Sequence, residues 1–154
     1  MNQEYKHIQI GWVGVVVIPI VFLLMLYRGI FSHLSHTGDT VDFLLRLIPA
    51  AVFIFIMIGM SFMTVTVNRD KVKAKFGIAP FYPSIPLSEI KSVQVVKNPW
   101  WMGWGIRFHS NYTLYNVSGL DAIEITKKNG KTIRIGTDEP EVLAQAIQSQ
   151  MKMG

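Results

Sequence analysis

Twenty consecutive residues, Leu44 to Met63, carry a single charge, Arg46, near their start. At 1.5 Å of rise per residue a helix of that length is about 30 Å long, the thickness of a bilayer's hydrocarbon core. The period of the sequence then changes at once. Thr64-Val65-Thr66-Val67 alternates polar with apolar, and after a polar turn Lys71-Val72-Lys73-Ala74-Lys75-Phe76 alternates again. Such alternation marks half-buried strands. The expectation is a membrane span that runs without a linker into a β-domain.

Ile8 to Tyr27 is a second apolar stretch of 20 residues, with Gln9 its only strongly polar member. It is too long for a signal-peptide core of about 7–15 residues and no small-x-small cleavage site follows it, so it reads as a retained span. Pro19 lies inside it and predicts a kink. The connection Arg28 to Phe43 holds Asp39 and Thr40 as helix caps. It also holds His33 and His36, three apart; a polar interfacial loop explains them better than a metal site, because no further ligands accompany them. Arg46 reads as snorkelling to an interface. Basic residues concentrate on the side of the two termini, at Lys6 and at Arg69, Lys71, Lys73 and Lys75. The flanking-charge rule then predicts a multi-pass protein of the cell (inner or plasma) membrane with both termini cytoplasmic. The expected division is a transmembrane hairpin over 1–63, with spans at about 8–27 and 44–63, and a β-rich domain over 64–154.

Composition fits two parts. Half of the 154 residues are hydrophobic, yet residues 64–154 hold 12 Lys/Arg against 7 Asp/Glu, the whole net charge of +5. A basic module beside a membrane points to anionic lipid as first partner and nucleic acid as second, and the membrane anchor argues against the second. The chain has no cysteine, which excludes disulfides, thiolate metal sites and thiol nucleophiles.

Within the β-domain, a turn at Arg69-Asp70 pairs Met63, Val65 and Val67 with Phe76, Ala74 and Val72. Period 2 then places Lys71, Lys73 and Lys75 on the opposite face, facing either anionic lipid headgroups, with Arg69, or water. Pro80, Pro83 and Pro86 mark an irregular connection or edge strand. Lys91 to Lys97 reads as a strand. Asn98-Pro99-Trp100-Trp101-Met102-Gly103-Trp104-Gly105 gathers three of the four tryptophans. Two readings stay open: Trp100, Trp101 and Trp104 form an interface or ligand loop, or they fold back as core over an open barrel end. Arg107 beside them suits a phosphate or a structural ion pair. Ala122 to Ile135 reads as a hairpin with a three-residue loop, Lys128-Asn129-Gly130, because only an odd loop pairs Ile125 with Ile133, Ile123 with Ile135 and Glu124 with Arg134. Asp138 is the expected N-cap of a C-terminal helix, with Pro140 in its first turn and Glu141 completing a capping pattern. Val142, Leu143, Ala146, Ile147 and Met151 form its apolar stripe.

Several short antiparallel strands followed by one amphipathic helix is the order of a pleckstrin-homology-like domain. Trp104-Gly105-Ile106-Arg107, Tyr115-Asn116-Val117-Ser118-Gly119-Leu120 and Arg134-Ile135-Gly136-Thr137-Asp138-Glu139-Pro140 resemble small bacterial membrane-anchored proteins carrying such a domain. The resemblance implies an α+β membrane protein, a two-helix hairpin followed by an antiparallel barrel or sandwich with one C-terminal helix. Eukaryotic relatives of that fold bind phosphoinositides through basic residues near the first hairpin, where Arg69, Lys71, Lys73 and Lys75 stand here.

The expected function is a non-enzymatic binding module, contacting anionic lipid headgroups or a membrane protein partner. The alternative is an accessory or immunity-type subunit of a larger complex, acting through its helices and Trp loop. No catalytic set, phosphate loop or metal cluster is legible, so no catalytic residue, cofactor or metal is expected. His109 stands alone in the β-domain and reads as structural.

Overall fold

The alternating stretch at 62–76 folds as a two-stranded ribbon, and residues 5–10 pair along its edge. The computed structural model describes residues 5–35, 40–77 and 82–153, with residues 13, 30–35, 40, 42–46, 50, 60 and 153 described by backbone alone. The elements are β1 (Tyr5–Ile10), α1 (Trp12–Ser35), α2 (Thr40–Met60), β2 (Phe62–Val67), β3 (Lys71–Phe76), β4 (Ser84–Pro86), β5 (Ile90–Lys97), β6 (Gly105–Phe108), β7 (Tyr112–Asn116), β8 (Asp121–Lys127), β9 (Thr132–Gly136) and α3 (Pro140–Met153).

The strands form two sheets, ordered β1-β2-β3-β4 and β5-β8-β9-β7-β6. Their inner faces share one core. Met63, Val65, Val67, Val72, Ala74 and Phe76 meet Val93, Ile123, Ile125 and Ile135, and α3 closes it with Leu143, Ala144 and Ile147. Burying each such aliphatic side chain contributes about 1.5–3 kcal/mol. Val142, expected on that stripe, is half exposed. The stripe runs through Leu143, Ala144 and Ile147 instead.

Both predicted hairpin registers are present. Met63 faces Phe76, Val65 faces Ala74 and Val67 faces Val72. Ile123 faces Ile135, Ile125 faces Ile133, and Glu124 faces Arg134. The three-residue loop closes with the Lys127 N–H donating to the Lys131 carbonyl at 2.9 Å and the Gly130 N–H to the Lys127 carbonyl at 3.0 Å, with Gly130 at φ 83°, a conformation that side chains with a Cβ avoid.

Three expectations require correction. First, among the described residues no helix is long and apolar enough to cross a membrane. The transmembrane hairpin, the membrane assignment and the multi-pass placement with cytoplasmic termini fall together. The reason is how the apolar length is divided. Ile8 to Ile10 belongs to β1, and Phe62 and Met63 belong to β2. The uncharged run left in α1, Trp12 to Tyr27, is about 24 Å long, and that left in α2 after Arg46 is about 21 Å. Both fall short of a hydrocarbon core of about 30 Å. Second, the strands are not purely antiparallel, because β7 runs parallel to β9. Third, Asp138 does not cap α3. Thr137 Oγ1 accepts the Glu139 N–H at 3.1 Å, while the Asp138 carboxylate is engaged by His7. His33 and His36 lie outside the described side chains.

Candidate functional site

The tryptophans of 100–104 stand out from the body rather than in it. Asn98 is buried after β5, donates its N–H to the Leu120 carbonyl at 2.6 Å and accepts from Arg134 Nη1 at 3.2 Å. From that anchor the chain makes a single 3-10 turn over Trp100–Met102. It leaves through Gly103 at φ 64° and Gly105 at φ 97°, both in the left-handed region. Trp100 is 76% and Trp101 69% exposed, and their rings meet edge to face at 6.1 Å. The core-plug reading therefore fails, because the anchored Asn98 and the glycine exit turn the loop outward. Arg107, on the outer side of β6, is exposed and reaches back over Gly103. The structure thus brings Trp100, Trp101, Trp104 and Arg107 into one ledge.

Trp104 also faces the root of the helical pair. With Gly14, Val17, Ile18, Met57 and Val117 it lines an apolar cleft of about 250 Å³. The root is tightly built: the Gly11 N–H donates to the Ser61 carbonyl at 2.6 Å, and a Cβ at Gly14 would run into the Ser61 hydroxyl. Beyond the root, α1 and α2 expose large apolar side chains, among them Leu23 (63%), Met25 (62%), Phe53 (60%) and Phe55 (67%). A surface of this kind marks an interaction site, since helices apolar on all sides are ordinarily covered.

The expected basic face exists and is wider than the sequence suggested. Lys71, Lys73 and Lys75 share the outer face of the first sheet, with Lys71 and Lys73 half-buried and Lys75 exposed. Arg69 is exposed in the β2–β3 turn. Lys6, on β1, joins them: it lies opposite Thr66, which lies opposite Lys73, which lies opposite Ser84. Strand spacing puts Lys6 about 10 Å from Lys73. Among the described residues no paired strand position on this face is a carboxylate, and Asp70 is exposed beside Arg69 in the turn. Lys6 was missed because β1 sits inside what reads as a membrane span.

The inner side of β1 carries a polar clamp. His7 Nε2 lies 2.7 Å from Asp138 and its Nδ1 3.5 Å from Glu139. Tyr5 stacks near His7, and its hydroxyl is buried without a hydrogen bond of good geometry. Burial, and then the charges of Glu139 and Asp138, push the Tyr5 phenol up to about 12. Gln9, 2% exposed, donates its side-chain N–H to the Gly136 carbonyl. None of these three residues was legible as a contact.

His109 is not in the core. It is exposed, and its ring stacks on Tyr112 at 5.0 Å. Among the described residues no group of three His, Cys, Asp or Glu is placed to hold a metal ion. Neither a protein-family model nor a curated protein matches the chain.

Proposed function

We propose that this protein is a non-enzymatic binding module that docks on a larger protein partner through α1, α2 and the tryptophan ledge at their root. The observation that carries the reading is the exposed apolar surface of the two helices. It adjoins the Trp104 cleft, and its root is tied by the Gly11–Ser61 hydrogen bond. Fixed aromatics beside a pre-formed cleft are the composition of interaction hot spots. Photo-crosslinking of the full chain in cells from Phe55 and from Trp100 tests it. The expected result is one protein captured from both positions. Capture of lipid or detergent alone would overturn it.

A second reading rests on the acid-free row of Lys6, Lys71, Lys73 and Lys75: contact with anionic lipid headgroups, each lysine contributing about 1 kcal/mol near such a surface. Flotation of the full chain with anionic and neutral vesicles separates the readings. Equal partitioning, unchanged in a Lys71→Glu/Lys73→Glu/Lys75→Glu variant, removes the second one.

A further inference from the structure

Among the described residues one strand pairing is parallel, β7 with β9, and it creates a second concavity that shares no lining residue with the Trp104 cleft. Because β7 and β9 run in the same direction, Tyr112 lies beside Thr132 and both strands begin at the same end. The β6–β7 turn, closed by the His109 N–H on the Tyr112 carbonyl at 2.9 Å, and the 128–130 loop therefore stand side by side. Between them is an open groove of about 520 Å³, lined by His109, Tyr112, Tyr115, Lys127, Lys131 and Thr132 among others. That size lies within the range of small-molecule sites, about 300–1,000 Å³.

The walls are pre-organised. The His109 ring stacks on Tyr112, and the Arg134 guanidinium sits 3.8 Å from the Tyr112 ring centroid. Arg134 is itself held by Glu124 at 2.7 Å and by Asn98. Lys127 is held by Glu89 at 3.2 Å. Lys131, by contrast, is exposed and has no ion pair among the described residues. No carboxylate lines the groove. Stacked rings, hydroxyls and amides, an uncompensated ammonium and no acid together select one kind of guest: a planar ring carrying an anionic group.

We propose that this groove binds a small phosphomonoester bearing a planar heterocycle, the ring against the His109–Tyr112 stack and the phosphate on Lys131. The site is independent of the docking surface proposed above.

The test is titration of the ¹⁵N-labelled full chain, in mild detergent, with adenosine monophosphate, adenosine, ribose 5-phosphate and inorganic phosphate, read from amide shifts. The expected result is saturable shifts at 109–113 and 128–132 for adenosine monophosphate, with adenosine and ribose 5-phosphate each about tenfold weaker or more. Lys131→Gln should weaken adenosine monophosphate by about the same factor, and Lys91→Gln, on exposed β5 surface, should leave it unchanged. Three results would overturn the proposal: no saturation by adenosine monophosphate, equal binding of inorganic phosphate, or equal loss in the two lysine variants.

Discussion

Gln9 gives its side-chain amide N–H to the Gly136 carbonyl at 2.9 Å, across 127 positions of sequence. This bond fastens the strand that begins the described chain to the last residue of β9, a few positions before the last helix. His7 to Asp138 lies before it on the same strand, and Gly11 to Ser61 lies just past the strand's end. The helical pair is therefore attached to the body on two consecutive strands of one sheet, β1 and β2, rather than on one.

Replacing Gln9 by Ala removes the donor and leaves the buried Gly136 carbonyl without its side-chain partner. A loss of about 1–3 kcal/mol is expected, read as a shift in the urea midpoint with little change in slope.

Gly136→Ala acts on the same joint from the other side. A Cβ there runs into the Asn116 amide, which is buried and committed to the Gly119 carbonyl and the Ser118 N–H. Overpacking of this kind costs about 1–3 kcal/mol. Adding Asn116→Ala removes the two closest atoms and leaves only a tight Cβ–Cβ contact at 3.0 Å, so the double variant should lose less than the sum of the two single ones. Thermal denaturation of all three checks this.

Tyr5 gives the fold an alkaline limit. Its phenol ionises near 10.0 when unfolded and near 12 when folded. Its contribution is complete below about pH 10, where both states are neutral. Between about pH 10 and 12 the unfolded phenol loses its proton and the folded one keeps it, so stability falls as pH rises. Tyr115, also raised by burial, acts in the same direction. Tyr5→Phe should therefore show a shallower decline than the parent when urea midpoints are compared across that window.

Trp100 and Trp101 separate docking from folding. Both are exposed, so Trp100→Ser/Trp101→Ser should change stability by no more than about 0.5 kcal/mol. Under the docking proposal the same variant should lose most of the protein captured by a Phe55 crosslinker. An unaltered yield would detach the ledge from the interface.

What the sequence made legible was local. The β2–β3 register follows from one turn and a period of two, and the β8–β9 loop follows from requiring isoleucine to face isoleucine. The Lys71, Lys73 and Lys75 face comes free with the first of these. The misses share a cause: each depends on a partner far along the chain. β1 hides in an apolar run because Ile8 and Ile10 look the same in a helix as in a strand. The β7–β9 pair leaves no periodic trace, and nothing near Asp138 announces that His7 will claim its carboxylate. The exposed tryptophans were undecided for another reason. Whether an aromatic loop turns in or out depended on Asn98, Gly103 and Gly105 together rather than on the rings.

The parallel pair also fixes an order of events. β9 leaves the ribosome after every other described strand, yet it lies at the centre of its sheet, between β8 and β7. Until residues 132–136 emerge, β8 lacks one neighbour and the β6–β7 hairpin has no sheet to join. The half-made sheet must then hold two unsatisfied strand edges, the state most open to mispairing with another chain. Slow translation through the 128–131 loop should prolong that state. Substitutions that weaken the β8–β9 turn should lower the yield of folded protein more than they lower the stability of the protein once folded.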